Sequence, residues 1–509
     1  MKSLFNSRYL YLILLGILSS FSLPPFNYFL INFITFSLFF YFLVKQKNES
    51  KKLNFFIYGW SFGFGYFITN LYWINISLTF DADFKILIPI SFLLIPSFLA
   101  CFYGLATYLF CFFRNKKILS LFFLFALLFG ITEFIRGHIL TGFPWNLIIF
   151  SFSNQIKFLN IISIVGTYGF NIFCISIFIT PALFFLRKDM REIIVCIIFL
   201  ILPIFIYIYG NTQVERFYNI EKKKNNFVIR AISSNISLDR FYNEVDSSSI
   251  INDLIEISEP ELNKKTLFLW PEGMIPDVSQ NQLINYKYLF ENNFNNNHLV
   301  GLGINNQNND LNLKIYNSFS IYDNQLNLID YYNKNNLVPF GEFLPFENLM
   351  RKIGMKNITN NYQSYSRGDE RKIIDLNKNS FSLKILPLIC YEVIYSGKLY
   401  KDYNFDYLIN ISEDGWFGKS IGPKQHFAHS ILRSIESGKY FVRAANNGTA
   451  AIINPLGIIE KQVDFGKNGF IDLEEVRETK PTIFSKFGNK IFGLIILLYI
   501  FLFFSFNRI

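Results

Sequence analysis

The stretch ILPLICYEVIY, from Ile385 to Tyr395, decides how this chain is interpreted. An apolar, β-like run ends there at Cys390, and Tyr391 and Glu392 follow directly. A cysteine held at the end of a strand is placed as a nucleophile would be. The alternative is that Cys390 only packs, which is the commoner role of a cysteine in an apolar run. A base and a cation elsewhere in the chain would favour the first interpretation.

The composition indicates a membrane part joined to a water-soluble part. The 509 residues exceed one typical domain, and 51% are hydrophobic while 17% are charged. A single uniform globule rarely combines these values. The net charge of +10 would suit a nucleic acid partner, but many cations lie in short clusters between apolar runs. Such clusters indicate membrane topology, so we expect a membrane and no nucleic acid among the partners.

Eight apolar stretches predict eight transmembrane helices. Each is near or above the roughly 20 residues that a helix needs to cross a bilayer. The stretches are 9–22, 27–44, 54–74, 86–113, 118–135, 158–186, 193–209 and 491–506. No small-residue cleavage pattern follows the first stretch, so we expect it to be retained. The predicted domains are residues 1–210 with seven helices, a soluble domain at 211–488, and the last helix at 489–509.

Positive charge is distributed unequally between alternate loops. One set of loops contains Lys2, Arg8, Lys45, Lys47, Lys51, Lys52, Arg114, Lys116, Lys117, Arg187, Lys188 and Arg191. The opposite loops carry only Lys85, Arg136 and Lys157. The positive-inside rule therefore predicts a cytoplasmic N-terminus and places residues 211–488 outside the cytoplasmic membrane.

The membrane part contains four cysteines and one closely spaced charged pair. The four cysteines other than Cys390 fall inside apolar spans: Cys101, Cys111, Cys174 and Cys196. Cys390 therefore has no disulfide partner within the soluble segment. Glu133 and Arg136 lie one helical turn apart, just before GFPWN at 142–146. They either help to form a lipid-accessible cavity or make a structural ion pair at a helix end.

After Gly210 the pattern changes to short β-rich runs separated by polar turns, which indicates a layered α/β or α+β domain. The predicted strands are 227–232, 266–270, 299–304, 316–322, 381–389, 407–411, 441–445 and 450–453, and the predicted helices are 248–257 and 425–436. The Asn-rich stretch 291–312 is interpreted as polar turns and loops.

Two strand ends supply candidate partners for Cys390. Glu272 follows the run 266–270 directly, where a partly desolvated carboxylate can act as a general base. Lys334 precedes Glu342 by eight residues. Its ammonium can lie beside the nucleophile, favour the thiolate, and then face the oxyanion of a tetrahedral intermediate.

The ordered segments WPE (270–272), YNKNNLVPFGE (332–342), ICYE (389–392) and DGWFG (414–418) resemble the nitrilase, or carbon–nitrogen hydrolase, superfamily. The Glu-Lys-Cys triad of that superfamily matches in chain order. The resemblance implies Glu272 as general base, Lys334 as stabilising cation and Cys390 as the acylated nucleophile. It also implies an αββα sandwich on the outer face of the inner membrane.

The same resemblance assigns supporting residues and shows two departures. Glu342 and Glu392 match acidic positions that support the triad, and Tyr391 matches an aromatic position beside the nucleophile. Glu413 stands where the superfamily branch with eight spans commonly has Asn. The segment Ser233–Asn235 stands where a Gln-containing motif is common. These departures concern the substrate pocket and not the triad.

With the eight spans, the resemblance implies an enzyme that moves an sn-1 acyl chain from phospholipid, in particular phosphatidylethanolamine, to lipoproteins. A thioester on the cysteine would carry the acyl chain to the α-amino group of an N-terminal diacylglyceryl-cysteine. The enzyme would act as a monomer in the inner membrane, with its catalytic domain in the periplasm. It would need no cofactor. The alternatives are a membrane-tethered amidase or nitrilase and a non-enzymatic transporter or scaffold.

Aromatic loops and two histidines have alternative interpretations. The loops Phe340–Phe346 and Trp416–Phe417 either enter the membrane interface or pack on the domain itself. His426 and His429 lie three residues apart, but no set of carboxylates or thiols with ligand spacing accompanies them. We therefore expect no metal site.

Overall fold

A computed structural model describes residues 7–46, 51–243, 245–308, 314–352, 364–378 and 381–508. It divides into two compact units. One unit comprises Met1–Glu215 and Thr482–Ile509, and the other comprises Arg216–Pro481.

The first unit is helical. Before the second unit, its helices in chain order are α1 (Ser7–Ser20), α2 (Leu30–Val44), α3 (Lys52–Leu71), α4 (Ile74–Ser77), α5 (Ile88–Cys111), α6 (Ile118–Arg136), α7 (Ile156–Leu159), α8 (Ile162–Leu186) and α9 (Met190–Tyr218). Glycines let α3 approach its neighbours closely, since a Cβ on Gly59 would lie 2.3 Å from the carbonyl oxygen of Tyr103 on α5.

Five helices among the described residues are long and apolar enough to cross a membrane. They are Ala82–Cys111, which extends α5 by a short preceding 3₁₀ segment, and Ile118–Arg136, Ile162–Leu186, Met190–Tyr218 and Lys490–Asn507. The apolar helices α1 and α2 are shorter, with 14 and 15 residues. Length and composition thus identify a membrane region with at least five candidate spans.

The charged pair of the first unit holds a loop in place. Glu133 and Arg136 are 0% and 2% exposed. Arg136 Nη1 donates hydrogen bonds to the carbonyl oxygens of Phe143 at 2.7 Å and Trp145 at 2.8 Å. The hydroxyl of Tyr103 donates to Glu133 at 2.8 Å. These contacts support the structural alternative for this pair, because its charges are buried and engaged within the protein.

The second unit contains twelve strands among its described residues. They are β1 (Lys223–Ser233), β2 (Thr266–Leu269), β3 (His298–Asn308), β4 (Lys314–Asp323), β5 (Leu328–Asn333), β6 (Ile374–Lys378), β7 (Phe381–Ile389), β8 (Tyr407–Glu413), β9 (Tyr440–Asn446), β10 (Ala450–Ile453), β11 (Ile459–Val463) and β12 (Gly469–Val476). Its helices are α10 (Ser247–Ser258), α11 (Lys287–Asn293), α12 (Glu347–Lys352) and α13 (Gly422–Ser437).

The main strand order is β5-β4-β3-β2-β1-β9-β8-β7-β6. The central neighbours from β3 to β1 and from β9 to β7 are parallel, and both ends of the order are antiparallel. The sheet curls so that β5 approaches β6. Both halves contribute to one interior core, with members that include Ile229, Leu267, Leu299, Phe319, Ile385, Ile409 and Val442.

Helices cover the outside of the curled sheet. Residues of α10 and α11 pack with the outward-facing side chains of β1 to β4 in a second apolar cluster. On the other half of the sheet, α13 packs against β9 and β10. The layers are therefore helix, sheet, sheet and helix. After β12, the helices α14 (Ile483–Phe487) and α15 (Lys490–Arg508) belong to the first unit.

The eight predicted strands and both predicted helices are present, but four short or polar strands were missed: β5, β6, β11 and β12. The loop prediction for 291–312 is wrong over 291–293, which end α11, and over 298–308, which form β3 and contain the predicted strand 299–304. Residues 309–312 lie outside the described residues. The Asn-rich end of β3 pairs along β4, for example Asn305 with Asn317. Backbone pairing with a neighbour thus outweighs a weak intrinsic β propensity.

We expect Phe319→Ala to destabilise the second unit strongly. Phe319 is fully buried in the interior core, and removing a buried Phe side chain typically costs about 3–5 kcal/mol. Thermal unfolding of the full-length protein in detergent, followed by limited proteolysis, measures the loss. Phe465→Ala is the matched control because Phe465 is 38% exposed. Equal effects of the two substitutions would contradict the position of the core.

Candidate active site

The three residues of the predicted triad follow strands whose ends lie at one edge of the sheet. Cys390 comes directly after β7, and Glu272 comes three residues after the end of β2. Lys334 follows β5 directly. In sheets with parallel strands, functional groups gather outside the carboxyl ends of the strands. The curled sheet therefore lets both of its halves supply side chains to one site.

Lys334 lies between two carboxylates. Its ammonium is 1% exposed and donates hydrogen bonds to Glu272 Oε1 at 3.1 Å and Glu342 Oε1 at 2.8 Å. Burial alone would lower the pKa of Lys334, but the charges of Glu272 and Glu342 raise that pKa well above its ordinary value. Lys334 is therefore a fixed positive charge in this site.

Asn317 on β4 connects the same two carboxylates. Its side-chain nitrogen donates to Glu272 Oε1 at 2.7 Å and to Glu342 Oε1 at 2.9 Å. The backbone N–H of Glu413 donates to Glu272 Oε2 at 3.2 Å. Sequence reasoning missed Asn317. A buried polar residue inside the apolar strand 316–322 was the available signal, since such groups are normally retained with a hydrogen-bonding partner.

The loop that carries Glu342 is held by backbone contacts. Glu342 Oε2 accepts a hydrogen bond from the N–H of Val338 at 2.8 Å. Between these residues, Phe340 has a φ of 62°, a left-handed conformation that non-glycine residues seldom adopt. The second oxygen of Glu342 thus fastens the turn, while the first contacts Lys334.

Cys390 also has a left-handed backbone, with a φ of 46°, at the start of the buried turn Cys390–Ile394. Tyr391 in this turn is 7% exposed. Burial and the negative charge of Glu272 raise the pKa of the Cys390 thiol well above its ordinary value, although Lys334 acts in the opposite direction. Lys334 therefore favours the thiolate, as the sequence led us to expect, but burial and Glu272 outweigh its effect on the pKa. The resting group is a thiol that needs a base.

Glu392 fastens the two segments that carry Lys334 and Cys390. It is fully buried, and its Oε1 accepts from the backbone N–H of Asn335 at 2.9 Å. Its Oε2 accepts from the N–H of Ile389 at 2.9 Å. One carboxylate therefore holds the residue after Lys334 and the residue before Cys390. Hydrogen bonds from several backbone donors fix the position of such a carboxylate.

The aromatic loops differ in exposure. Trp416–Phe417 packs on the domain, with ring centroids 5.0 Å from Phe241 for Trp416 and 5.3 Å from His426 for Phe417. Phe340 and Phe346 are instead 45% and 78% exposed. Trp416 therefore packs on the domain. The two exposed phenylalanines remain available for contact with an apolar partner.

A second buried network lies next to Cys390. Asp414 accepts hydrogen bonds from Arg443 Nη2 at 2.7 Å and from the Ser412 hydroxyl at 2.8 Å. His426 Nδ1 lies 2.9 Å from Asp414. Burial alone would raise the pKa of Asp414, but Arg443 and His426 lower it well below its ordinary value. The sequence analysis did not identify this network, although DGWFG contains Asp414.

Cys390, Asp414 and His426 each offer a ligand atom, and these atoms lie within 4.8 Å of one another. That spacing would fit a metal ion, but the chemistry of the donor set does not. The Asp414 oxygens already accept from Arg443, whose fixed positive charge opposes a cation at this point. We therefore assign no metal to this cluster.

A cleft opens beside Glu272, and the empty space in it and at its solvent-filled mouth amounts to about 460 Å³. Three carboxylates and several aromatic rings contribute to its wall. Gly303 allows the close packing on one side, because a Cβ there would lie 2.8 Å from the Cα of Glu272. The lining residues include Glu272, Glu342, Glu413, Phe241, Tyr365 and Trp416. The general base of the predicted triad is thus accessible from a space that can receive a substrate.

Comparisons with known proteins cover both units. Residues 15–180 match the family model described as Apolipoprotein N-acyltransferase N-terminal domain, and residues 267–481 match Carbon-nitrogen hydrolase. The chain is 33% identical to "Apolipoprotein N-acyltransferase" of Rickettsia prowazekii, with 94% of each chain covered. It is 30% identical to the protein of that name from Rhodopseudomonas palustris, covering 94% of this chain and 91% of that protein.

Among solved structures, the CN-hydrolase superfamily protein XC1258 from Xanthomonas campestris is similar to 49% of this chain. The match covers 90% of that chain at 14% identity, with a TM-score of 0.36. At this score, the relationship rests on the sequence matches alone.

We predict that Glu272→Gln increases the reactivity of the resting Cys390 thiol toward a small neutral alkylating reagent. The negative charge of Glu272 raises the pKa of this thiol, so its removal lowers the pKa and increases the thiolate fraction at a fixed pH below it. The rate should rise about tenfold for each unit by which the pKa falls. Mass spectrometry of the Cys390 peptide after iodoacetamide treatment, across a pH series, measures the rate.

Glu261→Gln is the control for this measurement, because the Glu261 side chain is 60% exposed and contacts other residues. We expect no change in that variant. Slower alkylation in Glu272→Gln would show that Glu272 already holds the proton in the resting enzyme, and it would contradict the protonated thiol.

Proposed function

Because the chain belongs to the apolipoprotein N-acyltransferase family, we propose that it transfers an acyl chain from phospholipid to a lipoprotein through a thioester on Cys390. One observation carries the chemistry. A buried ammonium, Lys334, contacts the carboxylates of Glu272 and Glu342 and interacts electrostatically with Cys390. This constellation contains a nucleophile, a base and a group that stabilises an oxyanion.

In the first half-reaction, the sulfur of Cys390 attacks the sn-1 ester carbonyl of a phospholipid. Because the resting thiol is protonated, Glu272 takes its proton as the carbon–sulfur bond forms. Lys334 stabilises the negative charge that develops on the carbonyl oxygen. When the tetrahedral intermediate collapses, Glu272 returns the proton to the departing oxygen of the lysophospholipid, and the thioester remains.

In the second half-reaction, the α-amino group of a diacylglyceryl-cysteine attacks the thioester. Glu272 accepts a proton from the amine, Lys334 again faces the oxyanion, and the Cys390 sulfur leaves. The sulfur then recovers a proton, so the enzyme returns to its resting thiol. The product carries an amide at its N-terminus. A thioester suits this step because it reacts readily with amines, provided that water is excluded.

The supporting residues hold this machinery. We assign Glu342 to the orientation of Lys334, and Glu392 and Tyr391 to the turn that presents Cys390. Trp416 lines the cleft and is assigned to substrate contact. Exposed Phe340 is assigned to the lipid interface, where aromatic side chains are favourable. Both substrates bring acyl chains that remain in a bilayer, and phosphatidylethanolamine is the proposed donor.

A membrane-tethered amidase would use the same triad. It would give no purpose to the apolar helices of the first unit, five of which are long enough to span a bilayer. The two relatives described above, which carry the acyltransferase name, each match this chain over more than nine tenths of its length. These observations favour acyl transfer over hydrolysis of a small amide.

We expect Cys390→Ala to abolish acyl transfer while the protein remains folded, because only the attacking atom is removed. The purified protein is incubated with phosphatidylethanolamine vesicles and a diacylated lipopeptide, and intact mass spectrometry follows both molecules. The wild-type protein should gain one fatty acyl group on Cys390 and pass it to the peptide amine. The matched control is Cys101→Ala, which removes a cysteine of the first unit.

Transfer by the Cys390→Ala variant would remove this residue from the mechanism. Amide hydrolysis by the wild-type protein without any acyl transfer would favour the amidase instead.

We further propose the topology that the loop charges indicate. Residues 1–210 would cross the inner membrane seven times, residues 211–488 would form the periplasmic catalytic domain, and residues 489–509 would return the chain to the cytoplasm. The protein would act as a monomer. The eight helices of at least 14 residues in the first unit, five of them of spanning length, support this arrangement.

Alkaline phosphatase fusions test this topology, because the reporter is active only outside the cytoplasm. We expect activity for fusions after Lys222 and Asp83 and none for a fusion after Lys116, which lies in a positively charged loop. Immunoblots of each fusion control for expression. Activity after Lys116 together with inactivity after Lys222 would reverse the proposed orientation.

A further inference from the structure

Glu413 is buried beside the triad, where its backbone contacts Glu272. Its side chain is 1% exposed and pairs with Arg240, whose side chain is also 1% exposed. Burying two charges is costly unless their geometry is good and their remaining hydrogen bonds are satisfied. A buried ion pair is therefore better explained by the geometry that it fixes than by a gain in stability.

Arg240 connects three chain segments through its guanidinium. Its Nη2 donates to the Glu413 carboxylate, and its Nε donates to the carbonyl oxygen of Gly273 at 2.9 Å. Its Nη1 donates to the carbonyl oxygen of Ser237 at 2.6 Å. Gly273 is the residue next to Glu272 and has a φ of 61°. Arg240 therefore holds the backbone conformation that aims the Glu272 side chain.

Glu413 contacts the base from the other side. Its backbone N–H donates to Glu272 Oε2 at 3.2 Å, while its own Oε1 accepts from the N–H of Gly415 at 2.7 Å. Its Oε2 also accepts from the side chain of Asn446 at 2.6 Å. The Glu413 side chain thus fixes the turn that carries its own backbone donor. Glu272 is held at its backbone by Arg240 and at its carboxylate by Glu413.

Ser234 belongs to the same network. The hydroxyl of Ser234 donates to Asn446 Oδ1 at 2.6 Å, and Asn446 in turn donates to Glu413. Ser234 is 4% exposed and Asn446 is fully buried. Asn446 therefore joins Ser234 to Glu413 on one side of the cleft that Glu413 lines.

We propose that Arg240 and Glu413 are positioning residues that hold Glu272 at the angle needed for proton transfer with Cys390. This inference rests on the proposed function, in which Glu272 is the base for both half-reactions. The pair has no net charge, so it fixes geometry without adding to the local field. Misplacement of a reacting group by about 1 Å can reduce a rate about a hundredfold, and this gives the pair its importance.

Three other titratable groups described above interact with Glu272 or with its partner lysine. Lys334 contacts its Oε1, Glu342 shares that lysine, and Cys390 interacts with it electrostatically. Against this background, removing only one member of the Arg240–Glu413 pair changes the local charge by one unit. Removing both members restores the local charge, but the contacts that hold Glu272 in position are lost. Charge and position can therefore be separated by experiment.

The first test uses Glu413→Gln, which keeps the shape of the side chain and removes its charge. We expect the single-turnover rate of Cys390 acylation by phosphatidylethanolamine vesicles to fall about tenfold to a hundredfold. The positive charge of Arg240, no longer balanced, should also move the acid limb of the pH–rate profile to lower pH, because it favours the ionised form of a neighbouring acid.

The double variant Arg240→Met/Glu413→Gln completes the test. We expect its acid limb to return to the wild-type position, because the local charge is restored, while its rate stays at least tenfold below the wild-type rate. Arg230→Met is the matched control. Arg230 is an equally buried arginine paired with Asp472, so its loss should lower the unfolding temperature without moving the acid limb.

Alkylation of Cys390 by iodoacetamide across a pH series gives a second measurement that needs no lipid. We expect its midpoint to move to lower pH in Glu413→Gln and to return in the double variant. Wild-type acylation rates in both variants would overturn the inference. It would also be overturned if Glu413→Gln lowered the rate but left the pH profile unmoved, as we expect for Arg230→Met. If the wild-type protein is not acylated at all, the proposed function fails, and an unmoved alkylation midpoint then overturns the inference separately.

Discussion

The site depends on one buried ammonium that two carboxylates share. Lys334 is almost fully buried, and a lone buried charge would be strongly unfavourable, so Glu272 and Glu342 are both required to keep it in place. Two negative charges and one positive charge leave the cluster with an excess of negative charge. Burial, together with the negative charge of Glu272, raises the pKa of the neighbouring Cys390 thiol well above its ordinary value. The ammonium therefore contributes to acylation mainly once negative charge develops on the substrate oxygen.

The curled sheet explains how such a cluster can form. The carboxyl ends of β2 and β7 belong to opposite halves of the sheet, which share one interior core. Turns at these ends have backbone N–H groups that donate to buried carboxylates instead of to a neighbouring strand. Glu392 does so beside two members of the triad, at Ile389 before Cys390 and at Asn335 after Lys334. The acidic residues around the triad thus serve as fasteners for turns, and the core supplies the rigidity that keeps the turns in register.

Cys390 and Glu272 could be proposed from the sequence because each follows an apolar run, and the end of such a strand can be recognised from local composition. Lys334 instead follows β5, a polar strand that the sequence did not indicate. The superfamily resemblance added the roles of Glu342 and Glu392. Two kinds of feature could not be predicted this way. Asn317 and Arg240 act through contacts with residues that are distant in the chain, and no local pattern encodes such contacts. The pKa of Cys390 is raised by burial and by Glu272 and lowered by Lys334. The presence of a lysine was therefore not enough to determine its direction.

The wall of the cleft shows how a charged residue can be tolerated beside a general base. A glutamate at position 413 would by itself add a third negative charge beside those of Glu272 and Glu342. Arg240 removes that effect because its guanidinium pairs with the new carboxylate and uses its remaining donors on backbone carbonyls. Arginine suits this task better than lysine, since a planar fork can satisfy several acceptors in one fixed geometry. The charge balance around Glu272 is therefore preserved by the arginine even though the residue at 413 is acidic.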